Sequence, residues 1–321
     1  MLSKLYKMNI IDEKFATEKI DYFLVAGGSD FRAYEILRKL KTAKTEIDSI
    51  IFFNFNERIK NINKEDSYYD YSKAGYSIDK LVNCSIRNPS SCLVGLDAFL
   101  SSIRPDQKIA IDISCFTKPF FFFLIKLVRE KYKIKLIDSY YTEPESYIFP
   151  KGLFSSYHSS SGPLTVREIP GFTGLESRND KRILVILLGF DGDLSQEINE
   201  DVSPSKTLLV NGFPGYAPKF KDISLVINEK LTSNKDFKIY YARSNNPFEV
   251  YNLLDKIKRE NSKSFLNVAP LGTKPMALGA CLFAIHNPSV RIVYPIPEVY
   301  EKTTTENCLH SWRYEIPMFL N

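Results

Sequence analysis

Apolar runs that end in glycine, each followed by a helical stripe, divide this chain into two matching halves. Residues 21–26 (DYFLVA) run into Gly27-Gly28-Ser29-Asp30 and then a 3.6-period pattern over 31–40. Residues 182–188 (RILVILL) run into Gly189-Phe190-Asp191-Gly192-Asp193 and a second such pattern carrying Glu197-Ile198. Short unbroken apolar runs bounded by turn residues predict strands buried on both faces. A second strand follows each helix, at 48–54 (DSIIFFN) and 206–211 (KTLLVN), and helices are expected over 91–103 and 247–261. Each of these precedes a further apolar run, 108–114 (KIAIDIS) and 264–269 (SFLNVA). Both runs lead into the same tripeptide, Thr117-Lys118-Pro119 and Thr273-Lys274-Pro275, and then into PFFFFLIKLV and MALGACLFAI. A strand, a tight turn and a helix with proline at its start account for both.

The last expected strand of each half, 133–141 and 290–294, runs into a shared tetrapeptide, Pro144-Glu145-Ser146-Tyr147 and Pro297-Glu298-Val299-Tyr300. Three landmarks in the same order predict an internal duplication. Strands alternating with helices predict an α/β protein of two tandem Rossmann-like units with mostly parallel sheets. The first unit is expected over 1–150 and the second over 181–321. Between them, 151–180 is rich in Ser, Gly and Pro and reads as a connection, part of it packing as a short hairpin. In parallel sheets ligands sit at the carboxyl ends of strands, where all three landmarks fall.

Composition changes this picture little. With 44% apolar and 25% charged residues, the 321-residue chain can bury ordinary cores. A formal charge of +5 permits an anionic partner, and no dense Lys/Arg run signals duplex nucleic acid. The most apolar stretch, 119–128, is too short for a bilayer and carries Lys126. The start of the chain lacks the apolar core of a signal peptide, so a cytoplasmic protein without a membrane partner is expected. Five cysteines without CxxC spacing read as reduced thiols, and with His158, His286 and His310 alone no metal site is expected. No cofactor is implied.

Candidate chemistry concentrates on the turns. A helix N-terminus with a hydroxyl and an ammonium suits a phosphate, and lysine there opposes the helix dipole unless an anion offsets it. Thr117, Lys118, Thr273 and Lys274 are therefore candidate phosphate ligands. The alternative is a solvated lysine paired with a carboxylate such as Glu298. Gly272 allows the backbone close to a ligand, whereas Phe116 in the equivalent position narrows the first turn, which makes the Gly272 copy the better expected binder. Gly27, Gly28 and Ser29 either cradle phosphate or ribose or form a tight turn with Ser29 or Asp30 as N-cap. The same choice applies to Gly189, Phe190 and Asp191. Neither GxGxxG nor GxxxxGK[ST] occurs, so no dinucleotide fingerprint or ATPase loop is supported. Glu145 and Glu298 are candidates for acid–base work, or else ion-pair partners of Lys118 and Lys274. Asp112 lies in one strand where the other half has Asn267, which argues against a shared catalytic role. The aromatic and basic stretch 210–222 either stacks a nucleobase or forms a stiff surface loop.

Gly272-Thr273-Lys274-Pro275-Met276 resembles the Gly-Thr-Lys-x-Met signature of CRISPR-associated Rossmann-fold (CARF) sensor domains. The resemblance implies that Gly272, Thr273 and Lys274 face a cyclic oligonucleotide together with Gly189, Phe190 and Asp191. The first half matches through Thr117 and Lys118, with Gly27, Gly28 and Ser29. A duplicated chain is similar to SAVED domains, which are fused CARF-like units of anti-phage signalling systems. The implied function is binding of a nucleotide-type ligand in the cleft between the units, as a sensor in a prokaryotic defence-type system with a separate effector protein. The competing expectation is an enzyme, a metal-independent nucleotide phosphodiesterase or glycosidic-bond enzyme, working in the same cleft.

Overall fold

The computed structural model describes residues 7–12, 14–27, 31–55, 77–85, 88–147, 160–161, 165–177, 180–233, 237–296, 299–300 and 305–317. It contains two compact units: Met1–Tyr147 with Thr305–Asn321, and Ile148–Thr304. The first holds strands β1 (Lys7–Ile10), β2 (Ile20–Ala26), β3 (Ile47–Phe55), β4 (Lys80–Cys84), β5 (Ile109–Asp112), β6 (Leu136–Tyr147) and β15 (Thr305–Pro317). Its helices include α1 (Glu35–Thr42), α2 (Leu93–Ser102) and α3 (Lys118–Glu130). The second holds β7 (Ser160–Ser161), β8 (Thr165–Glu168), β9 (Lys181–Leu187), β10 (Lys206–Gly212), β11 (Lys238–Ala242), β12 (Ser264–Pro270), β13 (Arg291–Ile296) and β14 (Val299–Tyr300). With them come α4 (Gly192–Val202), α5 (Phe220–Ile227), α6 (Glu229–Thr232), α7 (Pro247–Glu260) and α8 (Lys274–His286).

Both sheets share one topology. The first runs β1-β15-β6-β5-β2-β3-β4 and the second β11-β10-β9-β12-β13-β8. Numbering only the parallel strands of each unit in chain order, both read 3-2-1-4-5, the Rossmann-like arrangement, with antiparallel strands added beside strand 5. The third parallel strands, β4 and β11, were not among the expected elements. They lie at the sheet edges, and their partly exposed residues lack the unbroken apolar run that announced the central strands.

The central runs are apolar because helices cover both faces. On one face Phe23, Val25, Ile50 and Phe52 pack with Ile36, Leu37 and Leu40 of α1. On the other, Phe53 and Phe55 meet Phe116 and Phe120 at the start of α3 edge-on or stacked. In the second unit α8 is apolar nearly all round and buried from Pro275 to Ile285. Gly279 lets α7 approach it: a Cβ there would stand 2.2 Å from the Pro247 carbonyl oxygen.

Two expected boundaries move. Residues 305–317 belong to the first unit's sheet, not the second, because β15 returns to pair antiparallel along the whole of β6. A buried ion cluster fixes that return. Asp138 of β6, fully buried, accepts from Arg313 of β15 at 2.9 and 3.2 Å and lies 3.0 Å from Lys108 Nζ. The expected connection 151–180 is partly second-unit structure: β8 pairs with β13, and Arg291 holds Glu168 at 2.9 Å and Glu176 at 3.0 Å. The described parts of the shared tetrapeptides are strand. Pro144–Tyr147 continues β6 against β15, and Val299–Tyr300 pairs with Ser160–Ser161.

Candidate functional site

In a 3-2-1-4-5 sheet the crevice opens where strands 1 and 4 lie side by side and their connections part. Those neighbours are β2 and β5 in one unit and β9 and β12 in the other. The glycine loops leave strand 1 and the Thr-Lys-Pro turns leave strand 4, so each unit brings its loop and turn together at one edge.

In the second unit that meeting is close. A Cβ on Gly189 would lie 2.3 Å from the Leu271 carbonyl oxygen, and one on Gly272 would lie 3.2 Å from the Leu188 carbonyl oxygen. Glycine is thus required at 189, where one backbone passes over the other, and at 272 a side chain would be tight. The Gly189 carbonyl accepts from Asn228 Nδ2 at 3.0 Å and Ser224 Oγ at 3.2 Å, while the half-buried Phe190 ring packs on Phe220. Asp191 is a helix cap: its Oδ1 accepts the Leu194 N–H at 3.3 Å at the start of α4. Thr273 caps α8, accepting the Met276 N–H at 3.4 Å and donating to the Ser244 carbonyl. The same carbonyl accepts from Tyr216 Oη at 3.3 Å, and the Ser244 N–H donates to Pro214 at 3.1 Å. The loops after β10 and β11 are thereby tied to the turn, with Lys274 half-buried beside them. Phe213, the first residue past β10, and Tyr241 in β11, each 50% exposed, meet with centroids 6.2 Å apart, and Lys221 Nζ stands 5.4 Å from the Phe213 ring.

In the first unit Gly27 is buried at the end of β2, and Gly28 and Ser29 lie outside the described residues. Asp112 Oδ1 accepts the Ser114 N–H at 2.9 Å, and Ser114 Oγ accepts the Thr142 N–H at 2.9 Å. Arg32, 7% exposed in the turn before α1, reaches across with Nη1 3.3 Å from Tyr141 Oη and 3.4 Å from the Thr142 carbonyl. Thr117 is the N-cap of α3 but makes no capping bond, and its buried Oγ1 has no hydrogen-bond partner among the described residues. Leaving a buried hydroxyl unsatisfied costs about 1–3 kcal/mol. Lys118 is half-buried beside it.

One expectation about this turn is corrected. Phe116 does not narrow it. The ring is fully buried, stacked on Phe120 at 5.6 Å and edge-on to Phe53 at 5.1 Å, so it points into the core. Of the two glutamates, Glu298 lies outside the described residues. Glu145 is exposed on the β6–β15 ribbon, five residues beyond the last β5–β6 register pair, roughly 16 Å along the strand.

Arg32, Ser224, Asn228 and Ser244 were not singled out from sequence. Arg32 carries a weak signal, a basic side chain just before a helix N-terminus. Asn228 and Ser244 carry none, since their importance comes from contacts with residues far along the chain. Among the described residues no group of three His, Cys, Asp or Glu side chains could hold a metal, and no helix is long and apolar enough to cross a membrane. Cys84, Cys92, Cys115 and Cys281 are buried and in no disulfide.

No family model matches this chain, and no curated protein matches it. Among solved structures it is similar to a universal stress protein from Archaeoglobus fulgidus DSM 4304, at 12% identity over 86% of this chain and 96% of that one, with a TM-score of 0.23. It is also similar to an N-terminal ketoreductase from a macrolactin assembly line, at 11% identity over 89% and 72% of the chains, with a TM-score of 0.22. Likeness that loose bears neither on activity nor on fold, and the Rossmann-like assignment rests on the strand order itself.

Proposed function

We propose that this chain binds a nucleotide-type anion at the carboxyl edge of its parallel sheets and acts as a sensor rather than an enzyme. The observation that carries the reading is the meeting of a glycine loop with a Thr-Lys-Pro turn at the strand 1–strand 4 crevice of the second unit, on a topology that the first unit shares. The approach there is close enough to demand glycine at 189. Lys118 and Lys274 supply positive charge, and the helix N-termini behind them supply oriented N–H groups. The exposed Phe213–Tyr241 pair offers a face for a base, with Lys221 adding charge beside it. The resemblance of 272–276 to CARF and SAVED domains supports cyclic oligonucleotides as the ligand class and a separate effector protein of a defence-type system as the partner.

Calorimetric titration with cyclic oligonucleotides and mononucleotides tests this, with the ligand recovered afterwards. Saturable heat, loss of affinity in Lys274→Ala and intact ligand are expected. Turnover that disappears in Glu145→Ala or Glu298→Ala would instead make the protein an enzyme.

A further inference from the structure

We propose that β11, the edge strand of the second unit's sheet, pairs antiparallel with β11 of a second copy of this chain. The inference is independent of the nucleotide-binding reading.

β11 pairs in parallel with β10 on one side, and no strand among the described residues adjoins its other side. The Ala242 carbonyl accepts the Phe213 N–H at 2.7 Å, which fixes the residues of β11 that face inward. Backbone groups alternate along a strand, so Lys238, Tyr240 and Ala242 turn towards β10. Ile239 and Tyr241 therefore present both N–H and C=O at the edge, and these groups meet no partner among the described residues. The edge is open to solvent: Tyr241 is 50% exposed, and Ile239 and Tyr240 are half-buried.

Edge strands are commonly guarded against pairing by charges, proline or a bulge. β8, at the opposite edge of the same sheet, carries Arg167 and Glu168. The middle of β11, Ile239-Tyr240-Tyr241, carries no charge, and Lys238 at its start lies with Nζ 4.6 Å from the Tyr240 ring centroid.

Register identifies the partner as a second copy. Ile239 and Tyr241 stand symmetrically about Tyr240, the middle of the five-residue strand. A two-fold axis at Tyr240 sets Ile239 of each copy opposite Tyr241 of the other. The spare N–H and C=O groups of one copy then bond those of the other, and an aliphatic side chain lies beside an aromatic one across the joint. Lys238 comes opposite Ala242, so like charges do not face each other. The overlap stops where the strand stops, because the next edge-facing N–H, that of Arg243, is already held by Glu249 Oε2 at 2.9 Å. Antiparallel pairing points the carboxyl edges of the two joined sheets in opposite directions, so the joint does not bring the two second-unit crevices together.

Sedimentation velocity of the full chain, from low to high micromolar concentration, tests the pairing. The wild type should pass reversibly from monomer to dimer. Ile239→Pro removes an edge-facing donor and no bond to β10, the setting in which a strand tolerates proline. It should weaken dimerisation roughly 30-fold, the ratio for one hydrogen bond lost from each copy, with a far-UV spectrum like that of the wild type. Tyr240→Cys is the second variant. It sets two thiols across a non-hydrogen-bonded pair, about 4.5 Å between Cα atoms and within disulfide reach. Mild oxidation should link it into a dimer under conditions that leave the wild type unlinked, and this result decides the matter if Ile239→Pro does not fold. A wild type that stays monomeric at every concentration overturns the proposal. A dimer that Ile239→Pro leaves intact overturns it too, by placing the contact on another surface. Loss of the dimer in Ile239→Pro without a crosslink in Tyr240→Cys also overturns it, since a different strand would then occupy the edge.

Discussion

Thr117 and Thr273 are the same residue in the same motif, and their side chains do different things. Sequence places both as helix N-caps beside a lysine; it cannot say that one hydroxyl reaches a carbonyl 29 residues away. Phe116 misled for a related reason. Its bulk is visible in the sequence, but its direction is set by Phe53 and Phe55, which arrive from β3, and by Phe120 in the first turn of α3. The glycines were more legible, since a loop between strand and helix with two of them calls for close backbone approach. At 189 the demand is severe. Gly189→Ala puts a methyl into the Leu271 carbonyl, and the second unit should lose about 1–3 kcal/mol in urea unfolding. Gly95 is the contrast, exposed in α2 with nothing nearer to an added Cβ than Val82 Cγ1 at 3.6 Å. Gly95→Ala should stabilise the first unit by about 0.5–1 kcal/mol through the unfolded chain alone. Destabilisation there would mean that α2 is not helical at that point.

Among elements, the buried central strands and the helices after each landmark could be read from apolar runs and turn residues. The edge strands β4 and β11 could not, being half polar. The destination of β15 was also hidden, because alternation over 312–316 marks a strand but does not name its sheet. What names it is the Asp138 cluster. Asp138→Asn removes the buried carboxylate that Arg313 and Lys108 share, leaving them Glu315 at 3.2 Å and Glu18 at 3.8 Å, and should destabilise the first unit by about 3 kcal/mol, read as a shift of its urea midpoint. A shift within error would show that β15 is held by backbone pairing alone. A second ion cluster ties residues 165–177 to the second sheet. The Arg182 guanidinium, with Arg291 beside it, holds the Glu176 carboxyl below the ordinary glutamate range. A depressed carboxylate contributes stability above its unfolded value, near 4.3, and loses it as pH falls through the lower folded value. The gap in stability between wild type and Glu176→Gln should therefore be open at neutral pH and close below about pH 4. A gap that persists at low pH would point to packing rather than charge.

At the scale of the whole chain, one topology is used twice, and the repetition extends further than the sequence landmarks. Both units order their parallel strands 3-2-1-4-5 and both carry an antiparallel ribbon beside strand 5. The ribbon strand comes from the end of the chain in one unit and from the segment before the first strand in the other. That difference in origin is why the shared tetrapeptide was legible and its role was not. Duplication has left two units with the same frame and different chemistry, one with a buried Thr117 hydroxyl that has no partner among the described residues and one with the exposed Phe213–Tyr241 pair. The most direct test of the account is calorimetric titration of the full chain with cyclic oligonucleotides and mononucleotides, in wild type, Lys118→Ala and Lys274→Ala. The account predicts saturable binding of at least one of these nucleotides, weakened in both variants and with the ligand recovered unchanged. Absence of heat with every nucleotide, or binding indifferent to both lysines, would contradict it.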